Sequence, residues 1–123
     1  MPFFIFYLLI ATVILITVAF FYVSSIAATP PKGRAADLSK ELSLKSGRVI
    51  ACIGDSLTHG NIGECWVESL RNEYPEDTVL NEGINGDVVW QVNKRIESII
   101  NCNPDIIILM IGSNDAMASF NSK

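Results

Sequence analysis

The first 31 residues contain no charged side chain, although the 123-residue chain has nine basic and thirteen acidic residues. Every charge lies at or after Lys32, so about 24% of the remaining residues are charged, as in an ordinary soluble domain. The sequence therefore has two parts, an apolar N-terminal segment and one small globular region. This contrast excludes a repeat array, a collagen-like chain and a disordered protein.

Basic clusters, paired cysteines and phosphate-binding glycine loops are also missing. The net charge is −4 and there is no basic stripe, which argues against nucleic acid as a partner. Cys52, Cys65 and Cys102 form no CxxC pair and His59 is the only histidine, so we expect no metal site. There is no GxxxxGK loop, GxGxxG fingerprint or GxSxG elbow, and no cofactor is expected.

The apolar segment is long enough to cross a membrane. Residues 3–23 are interrupted only by two threonines and form, as a helix, a span of roughly 31 Å. We interpret residues 1–28 as an uncleaved transmembrane anchor, because the run exceeds the usual signal-peptide core and no basic residue precedes it. Small residues at 25–28 leave a cleaved signal peptide, and a secreted or periplasmic protein, as the alternative. A buried helix of a soluble protein is a third interpretation.

Residues 29–47 are expected to link this segment to the globular region. Lys32 and Arg34 follow the span and nothing basic precedes it, so the positive-inside rule favours a cytoplasmic C-terminal part. A secreted or surface enzyme needs the opposite orientation, and the side of the membrane stays open. Within the linker, residues 35–46 are predicted to form a short helix, with an irregular linker as the alternative.

From residue 48 onward, apolar runs alternate with amphipathic segments. Strands are predicted at residues 48–53, 78–81 and 105–111. Helices are predicted from residue 64 to Pro75 and, capped by Asp87, from there to Asn103. Cys52 lies in the first apolar run and is interpreted as a small core residue. The order β-α-β-α-β with short loops predicts a parallel sheet with right-handed crossovers.

A small polar cluster follows each predicted strand: residues 54–58 (GDSLT), 83–87 (GINGD) and 112–115 (GSND). Because the carboxyl ends of parallel strands meet at one edge of a sheet, we expect the clusters to lie together. Ser56 can present a nucleophilic hydroxyl there. The N–H groups of Ser56 and Gly86 and the Asn114 amide can donate to an oxyanion. Each cluster alone is also typical of a turn or cap, so their joint placement carries the interpretation as an acyl-transfer site.

Three blocks of this sequence resemble the signatures of the GDSL, or SGNH, hydrolases: residues 54–60 (GDSLTHG), 81–87 (NEGINGD) and 112–115 (GSND). The resemblance implies a three-layer αβα fold of flavodoxin-like type, with the strands present in the order 2-1-3 and the sheet incomplete. It implies that Ser56 is the nucleophile and that Ser56, Gly86 and Asn114 form the oxyanion hole. It also implies a metal-free hydrolase of lipid, thioester, acetylated-sugar or other ester substrates.

The sequence departs from this family in one respect. The fourth signature block, an Asp-x-x-His that supplies the general base, does not occur before Lys123. His59 is not expected to replace it, because the family commonly has a histidine there that is not the base. Without a base a serine hydroxyl is a weak nucleophile. We interpret residues 48–123 as the N-terminal part of a membrane-anchored SGNH hydrolase domain, with an inactive ligand-binding module or a non-functional fragment as alternatives.

Overall fold

The computed structural model describes residues 2–38 and 47–121. Helices and strands follow one another in the order α1 (Pro2–Ala28), α2 (Ala35–Leu38), β1 (Val49–Gly54), α3 (Ser56–His59), α4 (Trp66–Glu73), β2 (Thr78–Gly83), α5 (Val89–Ile100), β3 (Ile106–Met110) and α6 (Ser113–Asn121). The predicted alternation of strands and helices after the apolar segment is confirmed.

The three strands form one parallel sheet in the order β2-β1-β3, which confirms the predicted 2-1-3 arrangement. Ile50 of the central strand lies opposite Val79 of β2 and Ile106 of β3. Because all three strands run in the same direction, their carboxyl ends share one edge of the sheet. We call this the site edge.

Alternate side chains of β1 enter two separate cores. Ile50 and Cys52 pack with Val67 of α4 on one face of the sheet. Ala51 and Ile53 pack with α5 on the other face. Such packing follows from the period of two along a strand, and it gives the three layers that the sequence predicts.

The second strand is longer than predicted. It continues past Asn81 through Glu82 and Gly83, which pair with the last two residues of β1. Glu82 is buried, and its carboxylate has partners there. The backbone N–H of Ala35 donates to Oε1 at 2.7 Å, and Arg34 approaches Oε2 at 3.7 Å. A charged residue can end a strand in the core when its charge has such partners.

The segment predicted to be a linker contains one helical turn among its described residues. Residues 35–46 were predicted as a short helix, and the structure has a helical turn at Ala35–Leu38. The rest of that prediction, residues 39–46, lies outside the described residues. The contacts of Ala35 with Glu82 hold this turn against β2.

α1 has the length and composition predicted for a membrane span. The most apolar 18-residue stretch of Phe3–Ala28 has a mean hydropathy of 2.8, and none of that stretch is buried by the described protein. A helix that is apolar on all sides and exposed on all sides requires an apolar environment. A signal sequence can have the same length and apolar composition.

β3 is an exposed strand in the described part of the chain. It pairs there with β1 alone, and four of its five side chains are exposed, with Leu109 54% exposed. No lysine or proline interrupts it. The N–H and C=O groups on the free side of such a strand favour pairing with other chains.

Residues 32–123 expressed without α1 are therefore expected to self-associate. Leu109→Lys should reduce this association, because a charge on an edge strand opposes pairing. Ile62→Lys is the matched control, since Ile62 is 72% exposed but lies outside the sheet. Sedimentation velocity at micromolar concentration measures the effect. A monomeric wild-type fragment with one cooperative unfolding transition would contradict the prediction.

Candidate active site

Ser56 is the first residue of α3, directly beyond the carboxyl end of β1. Asp55 caps this helix, because its Oδ1 accepts the backbone N–H of Leu57 at 3.0 Å. Gly54 permits the turn, since a Cβ there would collide with Thr58 and with β3. The Ser56 side chain is exposed, and the N–H groups of a first helical turn have no intrahelical acceptor. Ser56 is therefore an exposed residue at the site edge, in the first turn of α3.

A buried carboxylate joins the first sequence block to the third. Asp55 is 1% exposed, and its Oδ2 accepts the Ser113 hydroxyl at 2.6 Å. Asp55 directly precedes Ser56, and Ser113 directly precedes Asn114. One side chain thus fixes the turn that carries Ser56 relative to the start of α6.

Asn114 reaches from α6 to the loop after β2. Its Nδ2 donates to the backbone carbonyl of Asp87 at 2.8 Å. A primary amide has two N–H bonds, so the second is free for another acceptor. Gly86 directly precedes Asp87 and has a φ of +79°, a conformation that favours glycine. The structure therefore brings all three predicted blocks together at the site edge.

The prediction that Asp87 caps α5 is wrong. The cap position is Val88, and both carboxylate oxygens of Asp115 accept the Val89 N–H, at 3.1 and 3.3 Å. A negative charge is favourable at this end of a helix. The cap comes from a residue 26 positions later, which no local sequence pattern indicates.

The Asp87 carboxylate binds Arg95 instead. Arg95 Nε donates to Asp87 Oδ2 at 3.0 Å, and its Nη2 donates to the Gly54 carbonyl at 3.2 Å. Glu82 Oε2 lies 3.9 Å from Nη1. The guanidinium of one α5 residue thus connects the end of β1, the end of β2 and the Gly86 loop. Sequence reasoning missed this residue, because Arg95 lies eight positions after Asp87 in a helix whose other charged residues, Lys94 and Glu97, are exposed.

A cavity of about 400 Å³ opens beside Ser56. Its lining residues come from α1, α3 and the loops after α3 and β2: Ala27, Ser56, Leu57, Gly60, Asn61, Ile62, Glu64 and Asn85. The volume falls in the range of small-molecule sites. Ser56 therefore borders a space large enough for a small molecule.

His59 makes no hydrogen bond to the Ser56 hydroxyl in the described part of the chain. Its side chain is buried, and neither ring nitrogen has a hydrogen-bond partner among the described residues. It lines a second cavity, of about 370 Å³, together with Lys32 and Glu68. In residues 2–38 and 47–121, no group of three or more His, Cys, Asp or Glu side chains could hold a metal ion.

The groups with clear pKa shifts lie inside the sheet or near the edge opposite the site edge, where the strands begin. Burial raises the pKa of the Cys52 thiol to about 11, so this fully buried core residue stays protonated. Hydrogen bonding by Arg48, whose Nη2 lies 2.6 Å from Asp77 Oδ2, lowers the pKa of the Asp77 carboxyl. That carboxylate contributes stability above its unfolded-state pKa, and the contribution is lost as pH falls through the lowered folded-state value.

The GDSL-like Lipase/Acylhydrolase family model matches residues 52–123, which include all three blocks. AlinE4, an SGNH-hydrolase family esterase, superposes on 60% of this chain with a TM-score of 0.52 and 27% identity. Axe2, an acetylxylan esterase from Geobacillus stearothermophilus, superposes on 63% of it with a TM-score of 0.51 and 30% identity. The chain spans 44% of the length of each. No curated protein sequence matches it significantly.

Proposed function

Because this chain belongs to the GDSL-like lipase/acylhydrolase family, we propose that it carries the nucleophile and oxyanion hole of an SGNH-type serine esterase or acyl hydrolase. Ser56 is the proposed nucleophile. Its N–H, the Gly86 N–H and the free amide N–H of Asn114 are the proposed donors. The proposal is carried by the two hydrogen bonds that join the three blocks, one from Ser113 to Asp55 and one from Asn114 to the Asp87 carbonyl.

In the proposed reaction, the Ser56 Oγ attacks the carbonyl carbon of an ester while a general base takes the hydroxyl proton. The carbonyl electron pair moves onto oxygen, and the three donors stabilise the negative charge. The tetrahedral intermediate collapses, and the C–O bond to the alcohol breaks. The alcohol leaves with the proton held by the base, and an acyl-serine remains. Water then attacks the acyl-serine in the same way and releases the carboxylic acid.

The general base is proposed to come from an Asp-x-x-His segment outside these 123 residues. His59 is a poor candidate, because its buried ring nitrogens make no hydrogen bond to the serine. The role of the histidine in such a site is to accept the serine proton and then deliver it to the leaving alcohol. Activity is therefore proposed for a protein in which this chain is joined to that segment.

The substrate class we propose is a small-molecule ester. The cavity beside Ser56, at about 400 Å³, has room for an acyl group with part of its alcohol. AlinE4 and Axe2 are both esterases, and Axe2 is named for acetylxylan. This likeness supports a carboxylic ester in preference to an amide or a phosphate ester.

We further propose that α1 anchors the catalytic domain to a membrane. Its exposed apolar surface over positions 3–25 supports an anchor, and residues 29–47 then form the linker to a domain that starts at residue 48. A cleaved signal sequence is the alternative. Mass spectrometry of the mature protein distinguishes the two, since an anchor requires that residues 3–23 are retained.

A fluorophosphonate probe tests the proposed catalytic role. The probe phosphonylates a serine only when that serine is activated. We expect labelling in a longer protein that joins this chain to an Asp-x-x-His segment, with the adduct on the peptide that carries Ser56. The same peptide in the 123-residue chain should remain unlabelled. Absence of labelling in both proteins would contradict the esterase proposal and favour an inactive ligand-binding module.

Replacing Asn114 by alanine should slow the proposed reaction by about 10²–10³ in kcat, the effect of losing one oxyanion donor. Steady-state hydrolysis of a p-nitrophenyl ester by the longer protein measures it. Asn93→Ala is the matched control, since Asn93 is an exposed residue of α5. A change confined to KM would mean that Asn114 binds the substrate and does not stabilise the transition state.

A further inference from the structure

The last turn of α1 is held by the loops that carry the candidate site. Asn61 Nδ2 donates to the Ile26 carbonyl and Asn85 Nδ2 donates to the Ala27 carbonyl, both at 2.7 Å. Asn85 Nδ2 also donates to Asn61 Oδ1 at 3.3 Å. Carbonyl groups in the last turn of a helix lack the regular intrahelical donors, so such side chains can satisfy them. The Ile26 carbonyl also accepts the Thr29 N–H at 3.2 Å. The two asparagines thus fix the end of α1 to the domain.

The point of attachment is also the mouth of the Ser56 cavity. Ala27 lines this cavity together with Ser56 and the two asparagines. Ile26 and Ala27 are half-buried, whereas positions 3–25 of α1 are exposed. Any membrane that surrounds α1 must therefore end close to the cavity.

The length of α1 determines how deep in a membrane the mouth of this cavity lies. Phe3–Ala28 comprises 26 residues. At about 1.5 Å per residue the helix is roughly 39 Å long, against about 30 Å for the hydrocarbon core and about 40–45 Å with the headgroups. Ala27 lies five residues beyond Tyr22, near the end of the apolar run, and so about 7–8 Å further along the axis. This displacement places Ala27 among the headgroups.

Two exposed apolar side chains border the same mouth. Leu57 is 58% exposed and Ile62 is 72% exposed, and both line the cavity with Ser56. Single exposed apolar residues are ordinary on protein surfaces. Here they flank the nucleophile at the end of a membrane-length helix, where insertion into a lipid interface would cover them.

We propose that the mouth of the Ser56 cavity lies in the headgroup layer of the membrane crossed by α1, and that its substrate is an ester-linked amphiphile drawn from that layer. This inference rests on the proposed esterase function and specifies its substrate class. An amphiphile in the bilayer presents its ester near the headgroups, so it reaches Ser56 without leaving the lipid. An ester dissolved in water gains nothing from this position.

Depth-dependent quenching tests the position of the mouth. The full 123-residue chain, with Cys65→Ser and Cys102→Ser, is reconstituted into phosphatidylcholine vesicles containing a lipid with a nitroxide headgroup. A fluorophore is attached at Ile62→Cys or, as the matched control, at Glu76→Cys. Glu76 is exposed and precedes β2, about 20 Å from the site edge along a six-residue strand.

We expect strong quenching at position 62 and only background quenching at position 76. Equal quenching at the two positions would overturn the proposal, as would failure of the protein to float with the vesicles. Cys52 reports on folding, because it is fully buried and stays unreactive towards thiol reagents in the native state.

The asparagine contacts are tested in the same vesicles. Asn61→Ala combined with Asn85→Ala should reduce quenching at position 62 towards the level at position 76, while Cys52 stays protected. Asn72→Ala, at an exposed position of α4, is the control and should leave the quenching unchanged. Unchanged quenching in the double variant would overturn the role given to the two asparagines.

The substrate class is tested in the longer protein with two fluorophosphonates, one short and soluble and one with a long alkyl chain embedded in vesicles. We expect the embedded probe to label Ser56 several times faster, and the double asparagine variant to lose this preference. Equal rates, or faster labelling by the soluble probe, would overturn the membrane substrate and leave the esterase function in place. No labelling by either probe, with position 62 still quenched, would instead contradict the esterase function.

Discussion

Replacing Ser56 by alanine is expected to abolish ester hydrolysis in a protein that joins this chain to the Asp-x-x-His segment. When a catalytic serine is removed, kcat falls by about 10⁶, because no other group can form the acyl intermediate. The fold should remain intact, since the Ser56 side chain is exposed and Asp55 supplies the cap of α3. Hydrolysis of a short p-nitrophenyl ester and thermal unfolding measure the two effects.

Ser69→Ala is the matched control for this experiment, because Ser69 is an exposed serine of α4 that does not line the Ser56 cavity. It should retain wild-type activity. Near wild-type activity of Ser56→Ala would exclude Ser56 as the nucleophile. Loss of activity together with loss of the unfolding transition would mean that Ser56 supports the fold and would leave its catalytic role without support.

Replacing Arg95 by methionine is expected to lower the free energy of unfolding by about 3–5 kcal/mol, more than any other substitution proposed for this chain. The substitution leaves the buried Asp87 carboxylate, which is 5% exposed, without its guanidinium partner. It also removes one of the two guanidinium groups near the buried Glu82 carboxylate, which keeps Arg34. The Gly54 carbonyl also loses a donor. Methionine fills a similar volume, so the loss reports mainly on charge and hydrogen bonding. Urea unfolding of the full chain in detergent micelles measures it.

Lys94→Met is the control on the same helix. Lys94 is exposed, and its ammonium lies 4.3 Å from the centre of the Trp90 ring. Removing this contact should cost about 0.5–1 kcal/mol. Arg95→Lys should fall between the two, because it keeps the charge and loses the fork of donors. A destabilisation by Arg95→Met no greater than that by Lys94→Met would contradict the bridging role.

Chain connectivity and residue types were sufficient to predict the fold. The uniform apolar run of residues 3–23 predicted α1, and the alternation of short apolar runs with amphipathic segments predicted the parallel sheet and its layers. Because parallel strands align their carboxyl ends, the polar blocks after them could be placed at one edge. The family match and the solved structures confirm this fold. The roles of Ser56, Gly86 and Asn114 stay predictions.

The tertiary structure decided which side chains hold that edge together. Asp115 caps α5 in place of Asp87, Arg95 binds the Asp87 carboxylate, and Asp55 accepts the Ser113 hydroxyl. These partners lie 8 to 58 positions apart, so no local periodicity reports them. The sequence determined the elements, because periodicity and turn chemistry act over a few residues. Hydrogen bonds between loops depend on distances that exist only after the sheet has formed.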